Sequence, residues 1–194
     1  MADDVRIIEE RLLSDNWGKL RKYTFELRQR DGTTQQHIRE VYDRGHAAVI
    51  LLCNKAANTV ILVRQFRLPV HLSGDNGWLI EACAGLLDGD DPATCARKEA
   101  EEETGYRPHA IRHAYDSYMS PGSVTEKLSF FIGEYDATSR ISSGGGLAHE
   151  GEDIEVMEIA FPKAMTMIER GEIIDAKTIM ILQYAALSGT LKAR

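Results

Sequence analysis

The sequence predicts an α/β fold, and three observations carry that reading. Two apolar runs, Ala47–Cys53 and Thr59–Phe66, are rich in Val, Ile and Leu and too short for helices, so they read as buried strands. One sharply punctuated helix follows, opened by Asp91-Pro92 as N-cap and first-turn proline and stopped by Gly105. Helical periodicity returns near the C-terminus, over Pro162–Glu169 and Ala176–Leu187.

The remaining elements fall in order around these. Residues 5–31 alternate apolar and polar and read as a hairpin or a pair of strands, with Asp31-Gly32 as a turn. Gln36–Val41 is a further strand, and the first forty residues form a small N-terminal β region suited to docking on another subunit. The loop Asn54–Asn58 separates the two apolar strands, and Leu79–Cys83 leads into a glycine loop. Residues 109–117, 127–136 and 153–159 are the later strands. Ser142–Gly146 has the composition of a flexible linker. Neither an internal repeat nor a domain boundary is visible along the 194 residues, a length that suits one domain with a sizeable core.

Charge and composition narrow the function classes. With 23 basic and 30 acidic residues the net charge is -7, which argues against sequence-independent binding to nucleic acid or to membranes. No apolar run approaches the roughly 20 residues of a membrane-spanning helix. The start, Met1-Ala2-Asp3-Asp4, lacks the basic-then-apolar pattern of a secretory signal. Cys53, Cys83 and Cys95 show no metal-ligand spacing and read as reduced core thiols, so a cytoplasmic protein is expected.

The chemistry concentrates in the punctuated helix. Glu99, Glu102 and Glu103 stand at i, i+3 and i+4, a spacing that puts three carboxylates on one face of an α-helix. Like charges there repel, and a hard divalent cation such as Mg²⁺ removes the penalty while bridging carboxylates to substrate phosphates. A second acidic cluster, His149-Glu150-Gly151-Glu152-Asp153-Ile154-Glu155, follows the glycine-rich segment. Carboxylates on a mobile loop suit a general base or a further metal ligand that arrives with substrate. The bland alternative for both clusters is a solvated acidic surface.

The stretch from Ala84 to Tyr106 resembles the signature loop-helix-loop of the Nudix hydrolases. Its C-terminal half, Glu99-Ala100-Glu101-Glu102-Glu103-Thr104-Gly105, follows the pattern, whereas its N-terminal half departs from it. Gly85 stands one residue late, an aspartate (Asp90 or Asp91) replaces the early glutamate, and Lys98 replaces the arginine. Pro121 lies fifteen residues after Tyr106, a distance that resembles the branch acting on ADP-ribose and related nucleoside diphosphate sugars. Longer segments resemble members of that branch that hydrolyse GDP-mannose. They include Arg39–Gly45, Arg64–Arg67, Cys83–Asp88, Tyr118–Gly122 and Glu152–Val156.

The resemblance implies a Nudix-type α/β/α sandwich with a mixed sheet, a β region over residues 1–40 that forms a homodimer, and a hydrolase domain over 41–194. It implies Mg²⁺-dependent cleavage of GDP-mannose to GMP and mannose 1-phosphate, with Mn²⁺ as substitute metal. ADP-ribose is the alternative substrate, and a sensor that binds nucleotide sugars without hydrolysis is the reading from another class. Implied metal ligands are Glu99, Glu103, Glu152 and the Ala84 carbonyl; Glu150 is the candidate base and Glu102 a ligand or water-holding acid. Implied substrate contacts are Trp17, Ile38, Arg39, Glu40, Arg67, Ala84, Gly85, Leu86, Glu103, Glu126, Gly151, Glu152 and Lys177. Chemically, Trp17 suits base stacking and Arg39 and Arg67 suit forked contacts to phosphate. Glu126 suits donors on guanine or sugar, and Lys177, misplaced for the dipole at a helix start, suits a phosphate or sugar.

Overall fold

A computed structural model describes residues 4–147 and 151–193. The chain forms two compact units, one from the N-terminus to His46 together with Tyr118–Lys127, the other from Ala47–Ser117 and Leu128 onward.

The first unit is built on a three-stranded antiparallel sheet of β1 (Val5–Asp15), β2 (Lys19–Arg28) and β3 (Thr34–Asp43), in that order. Asn16–Gly18 turns the first hairpin, and Asp31-Gly32 turns the second, with Gly32 at φ 85°. Register breaks between Ile7 and Glu9 and between Leu12 and Ser14 mark irregularities of the bulge type along β1. The returning segment is stitched on at Tyr42, whose amide donates to Ser123 O (2.8 Å) while Thr125 N donates to Tyr42 O (3.1 Å).

The second unit holds a seven-stranded mixed sheet. Its strands are β4 (Ala47–Asn54), β5 (Thr59–Phe66), β6 (Trp78–Glu81), β7 (Cys83–Leu86), β8 (Ala110–Tyr118), β9 (Lys127–Glu134) and β10 (Glu155–Ala160). The main order is β10-β5-β4-β9-β8, with β6 on β5 and β7 on β4. Strand β4 is central and forks: Ala47–Ile50 pair with β7, Leu52–Asn54 pair with β5, and its other edge pairs in parallel with β9. Its seven residues from Ala47 to Cys53 are buried, as expected of a strand covered on both faces.

The helices are α1 (Leu68–Leu72), α2 (Pro92–Glu99), α3 (Phe161–Glu169) and α4 (Ala176–Leu187). Asp91 caps α2 through bonds from the amides of Ala93 and Thr94, as its sequence position predicts. Cys95, Ala96 and Ala100 pack with Ala48, Ile50, Leu52 and Ile61 on one sheet face. Alternation turns Val49, Leu51 and Leu62 to the opposite face, and α4 buries Thr178, Ile181, Leu182 and Ala185 and contacts β4 and β6. The layers are therefore those of an α/β/α sandwich. All three cysteines are buried free thiols. Among the described residues, no helix is long and apolar enough to cross a membrane.

Two local expectations are corrected, and one short helix lies outside them. The glycine loop after Leu79–Cys83 is a strand, β7, with Gly85 paired to Ala48. The short helix α1 follows Arg67, where Pro69 fixes the first turn; its five residues are below the length at which periodicity is readable. The glycine-rich segment is not a free linker. Gly145 N donates to Glu103 O (2.9 Å), Gly146 N to Glu102 O (3.2 Å), and Ile141 N to Gly105 O (2.8 Å).

Candidate active site

The helix that carries the acidic row does not stay α-helical. After α2 the backbone widens over Ala100–Thr104 into one π-type turn, and Gly105 ends it at φ 75°. The three carboxylates differ in burial. Glu103 is only 2 % exposed, Glu99 is half-buried and Glu102 faces solvent. The hydroxyl of Thr104 bonds back to Ala100 O and its oxygen receives Tyr106 N (3.1 Å), which secures the turn.

Around Glu103 the environment is acidic and dry. Burial pushes its carboxyl up to about 8, the Glu99 and Glu152 carboxylates push the same way, and the Cys83 thiol and the Arg67 guanidinium oppose them. Its Oε2 accepts the amide of Ala84 at 3.3 Å. Gly85 leaves room for a side chain rather than for backbone: a Cβ there would overlap the Glu99 carboxylate. Glu152 accepts Leu147 N at 2.9 Å and fills the space that a Cβ on Gly146 would need. Gly105 and Gly144 leave no room for side chains either, because each meets the other's backbone segment.

These donors suit a hard cation. They are oxygen-only, they come from Glu99, Glu103 and Glu152, and burial, with repulsion from the other two added to it, raises Glu103 far above its ordinary range. Among the described residues, no three acidic, histidine or cysteine side chains are gathered into a finished metal cage. The trio interacts at electrostatic range, and neutralisation by a cation would remove the repulsion.

Beside the acidic group lies a second cluster. Glu81, on β6, is 1 % exposed and receives a fork from Arg67, Nε to Oε1 and Nη2 to Oε2, both 2.9 Å. Lys177 donates to Glu81 Oε2 at 2.5 Å and lies 3.0 Å from Asp175 Oδ1. Burial alone would raise the Glu81 carboxyl; Arg67 and Lys177 overcome that and hold it at about 2. Asp175 also caps α4, accepting Thr178 N at 3.0 Å and Thr178 Oγ1 at 2.6 Å. Thr178 Oγ1 in turn receives Ala82 N at 2.7 Å, so α4 is tied to the bend between β6 and β7.

Comparison with known proteins now decides the family. The profile of the NUDIX domain matches residues 43–177, and that of the "GDP-mannose pyrophosphatase NudK N-terminal domain" matches residues 4–42. The chain belongs to the Nudix hydrolase family.

As a Nudix hydrolase it has curated relatives over almost its whole length. GDP-mannose pyrophosphatase of Pectobacterium atrosepticum is 52% identical over 97% of both chains. That of Yersinia enterocolitica is 50% identical over 99% of this chain and 100% of its own. The Escherichia coli enzyme of the same name is 48% identical over 97% and 98%. A solved structure, "Crystal structure of ADP compounds hydrolase", superposes with a TM-score of 0.74 at 16% identity, covering 99% of this chain and 98% of its own, and shares the fold. The chain is thus a Nudix pyrophosphohydrolase.

The expected site residues of this Nudix hydrolase divide between its two units. In the second unit Arg67, Glu81 and Lys177 come together, as do Ala84, Gly85, Glu99, Glu103 and Glu152. Leu86 accepts the Cys95 thiol at 3.2 Å through its carbonyl, and Gly151 holds φ 76°. Glu150, the candidate base, lies outside the described residues. In the first unit Trp17 is 70% exposed, with the Arg44 guanidinium 5.3 Å from its ring centroid. Ile38 is exposed, Arg39 donates to Ile38 O at 2.8 Å, and Glu40 pairs across β2 with Lys22 in register. Glu126 is held by Arg44, whose Nε donates at 2.8 Å.

Arg44, Glu81 and Asp175 were missed from the sequence. Glu81 had a readable signal, since a lone carboxylate inside the apolar run Leu79–Cys83 must be buried and therefore paired. Asp175 also had one, because it stands at the N-cap position directly before the helical run Ala176–Leu187. Arg44 had none, because its partner Glu126 lies 82 residues away.

Proposed function

We propose that this Nudix hydrolase cleaves the pyrophosphate bond of GDP-mannose, giving GMP and mannose 1-phosphate. The observation that carries the proposal is about 50% identity to enzymes of that name across both units. Glu99, Glu103, Glu152 and the Ala84 carbonyl are the proposed ligands of Mg²⁺, with Mn²⁺ as substitute. The bound cation supplies charge neutralisation at the phosphates and a polarised water. Arg67 and Lys177 donate hydrogen bonds to the diphosphate oxygens. Glu150 accepts the proton of the attacking water as its oxygen bonds to phosphorus and the bridging oxygen leaves with one product. Glu102, at the solvent side of the turn, holds water for that step. Gly85, Leu86 and Gly151 offer backbone groups to the substrate.

In the first unit, Trp17 stacks on the base, Glu126 accepts from guanine or sugar donors, and Ile38, Arg39 and Glu40 complete the pocket. Exposed Val5, Ile7, Ile8 and Leu12 on β1 support a homodimer formed through residues 1–40. The two regions, 1–40 and 41–194, act as dimerising and hydrolase parts. Three buried free thiols fit a reducing cytoplasm.

Phosphorus NMR of the protein with Mg²⁺ and GDP-mannose or ADP-ribose tests this. Preferential appearance of GMP and mannose 1-phosphate is expected. Preferential cleavage of ADP-ribose would overturn the substrate while leaving the metal site, and full Mg²⁺-dependent turnover by Glu103→Gln would overturn the site.

A further inference from the structure

We propose that Glu81 is a positioning residue for substrate: its buried carboxylate fixes Arg67 and Lys177 so that their unspent donors converge on one anionic group. The inference rests on the reading of Arg67 and Lys177 as diphosphate contacts.

Arg67 carries five N–H donors and spends two of them on Glu81, through Nε and Nη2. Among the described residues its Nη1 has no hydrogen-bond partner, and the side chain is 40% exposed, so the outer edge of the fork is presented to solvent. Lys177 has three donors; one goes to Glu81, one reaches Asp175, and one remains, on a side chain 14% exposed. Two flexible cations are therefore held by a single carboxylate, with a free donor on each.

Charge arithmetic separates positioning from simple attraction. Arg67 and Lys177 supply two positive charges, and Glu81 and Asp175 cancel both. A site evolved only to attract an anion gains nothing from Glu81, which removes half of the attraction. Orientation is what the carboxylate adds, since side chains immobilised beforehand lose less entropy when ligand arrives. Once Arg67 and Lys177 are there, the Glu81 charge stabilises the fold, but stability is a weak reason to build the charged cluster at all, because apolar residues of similar size in place of the whole cluster often serve a fold as well.

Two readouts test the proposal on the full chain. One is steady-state hydrolysis of GDP-mannose with Mg²⁺; the other is calorimetric binding of its methylene-bridged, non-hydrolysable analogue with Mg²⁺. Glu81→Gln keeps size and one acceptor but loses the charge and the symmetric fork. It is expected to raise KM and the analogue's Kd at least tenfold, with binding stoichiometry near that of the wild type. A purely structural role would lower stoichiometry and kcat together and leave Kd unchanged, and an unchanged Kd overturns the proposal. If Glu81→Gln does not fold, Glu81→Asp, which keeps the charge and withdraws it by one methylene, carries the same criterion. Wild-type protein that hydrolyses no nucleotide sugar would overturn the functional reading instead, an outcome separate from the variants' Kd.

Discussion

A Cβ at position 85 would occupy the space of the Glu99 carboxylate, the movable end of a flexible side chain. Gly85→Ala is therefore expected to displace Glu99 at little cost to the fold. The melting temperature should change little, while the Mg²⁺ concentration for half-maximal activity rises by roughly tenfold or more, as when a metal ligand is disturbed. A magnesium titration of activity beside a melting curve reads both. Glu81 makes a prediction about acid. Its carboxyl is held at about 2 against an ordinary 4.5, so the ionised form is favoured in the folded chain. The resulting stabilisation is complete above pH 4.5 and drains as the pH falls towards 2. It amounts to on the order of 3 kcal/mol from that difference. Urea midpoints measured across this range should fall less steeply for Glu81→Gln than for the wild type.

The π-type turn and the glycine segment behave as one element. Gly144 holds φ 68°, and a Cβ there would overlap the Thr104 carbonyl, a backbone neighbour that cannot swing aside. Gly144→Ala should undock Ser142–Gly146 and with it Glu152, with activity reduced tenfold or more. Hydrogen exchange should show lost protection at the amides of Gly145 and Gly146 and retained protection in β4. Composition could not foresee this docking. Three glycines in a row signal flexibility in a linker and close approach in a packed loop, and only the presence of Gly105 opposite decides between them. The strands were legible for the opposite reason. Ala47–Cys53 and Thr59–Phe66 are continuous apolar runs, and Asp91, Pro92 and Gly105 punctuate α2 chemically, so neighbours along the chain sufficed. The π-type turn had no local signature, and the fork of β4 between β5 and β7 is a matter of long-range pairing. At the site, the acidic row, Arg67 and Lys177 were visible as residue types, but the carboxylate that joins the two cations was visible only as an oddity in a strand.

At the scale of the molecule, the proposed dimer can be measured. Val5, Ile7, Ile8 and Leu12 are each about half exposed, on a strand with one free edge. Sedimentation should give twice the mass of one chain, and Ile7→Asp with Leu12→Asp should shift it towards the monomer without unfolding the seven-stranded sheet. A monomeric wild type would sink the dimer. The connectivity of the units also bears on how the chain is made. The N-terminal unit needs Tyr118–Lys127 to complete it, and the central strand β4 needs β9. On the ribosome, then, the first forty-six residues emerge long before their closing segment, and the open edge of β4 waits through more than seventy further residues of synthesis. Each unit is completed by a segment translated after part of the other. Until residue 134 has been made, the full length of β9 is not available to that edge of β4.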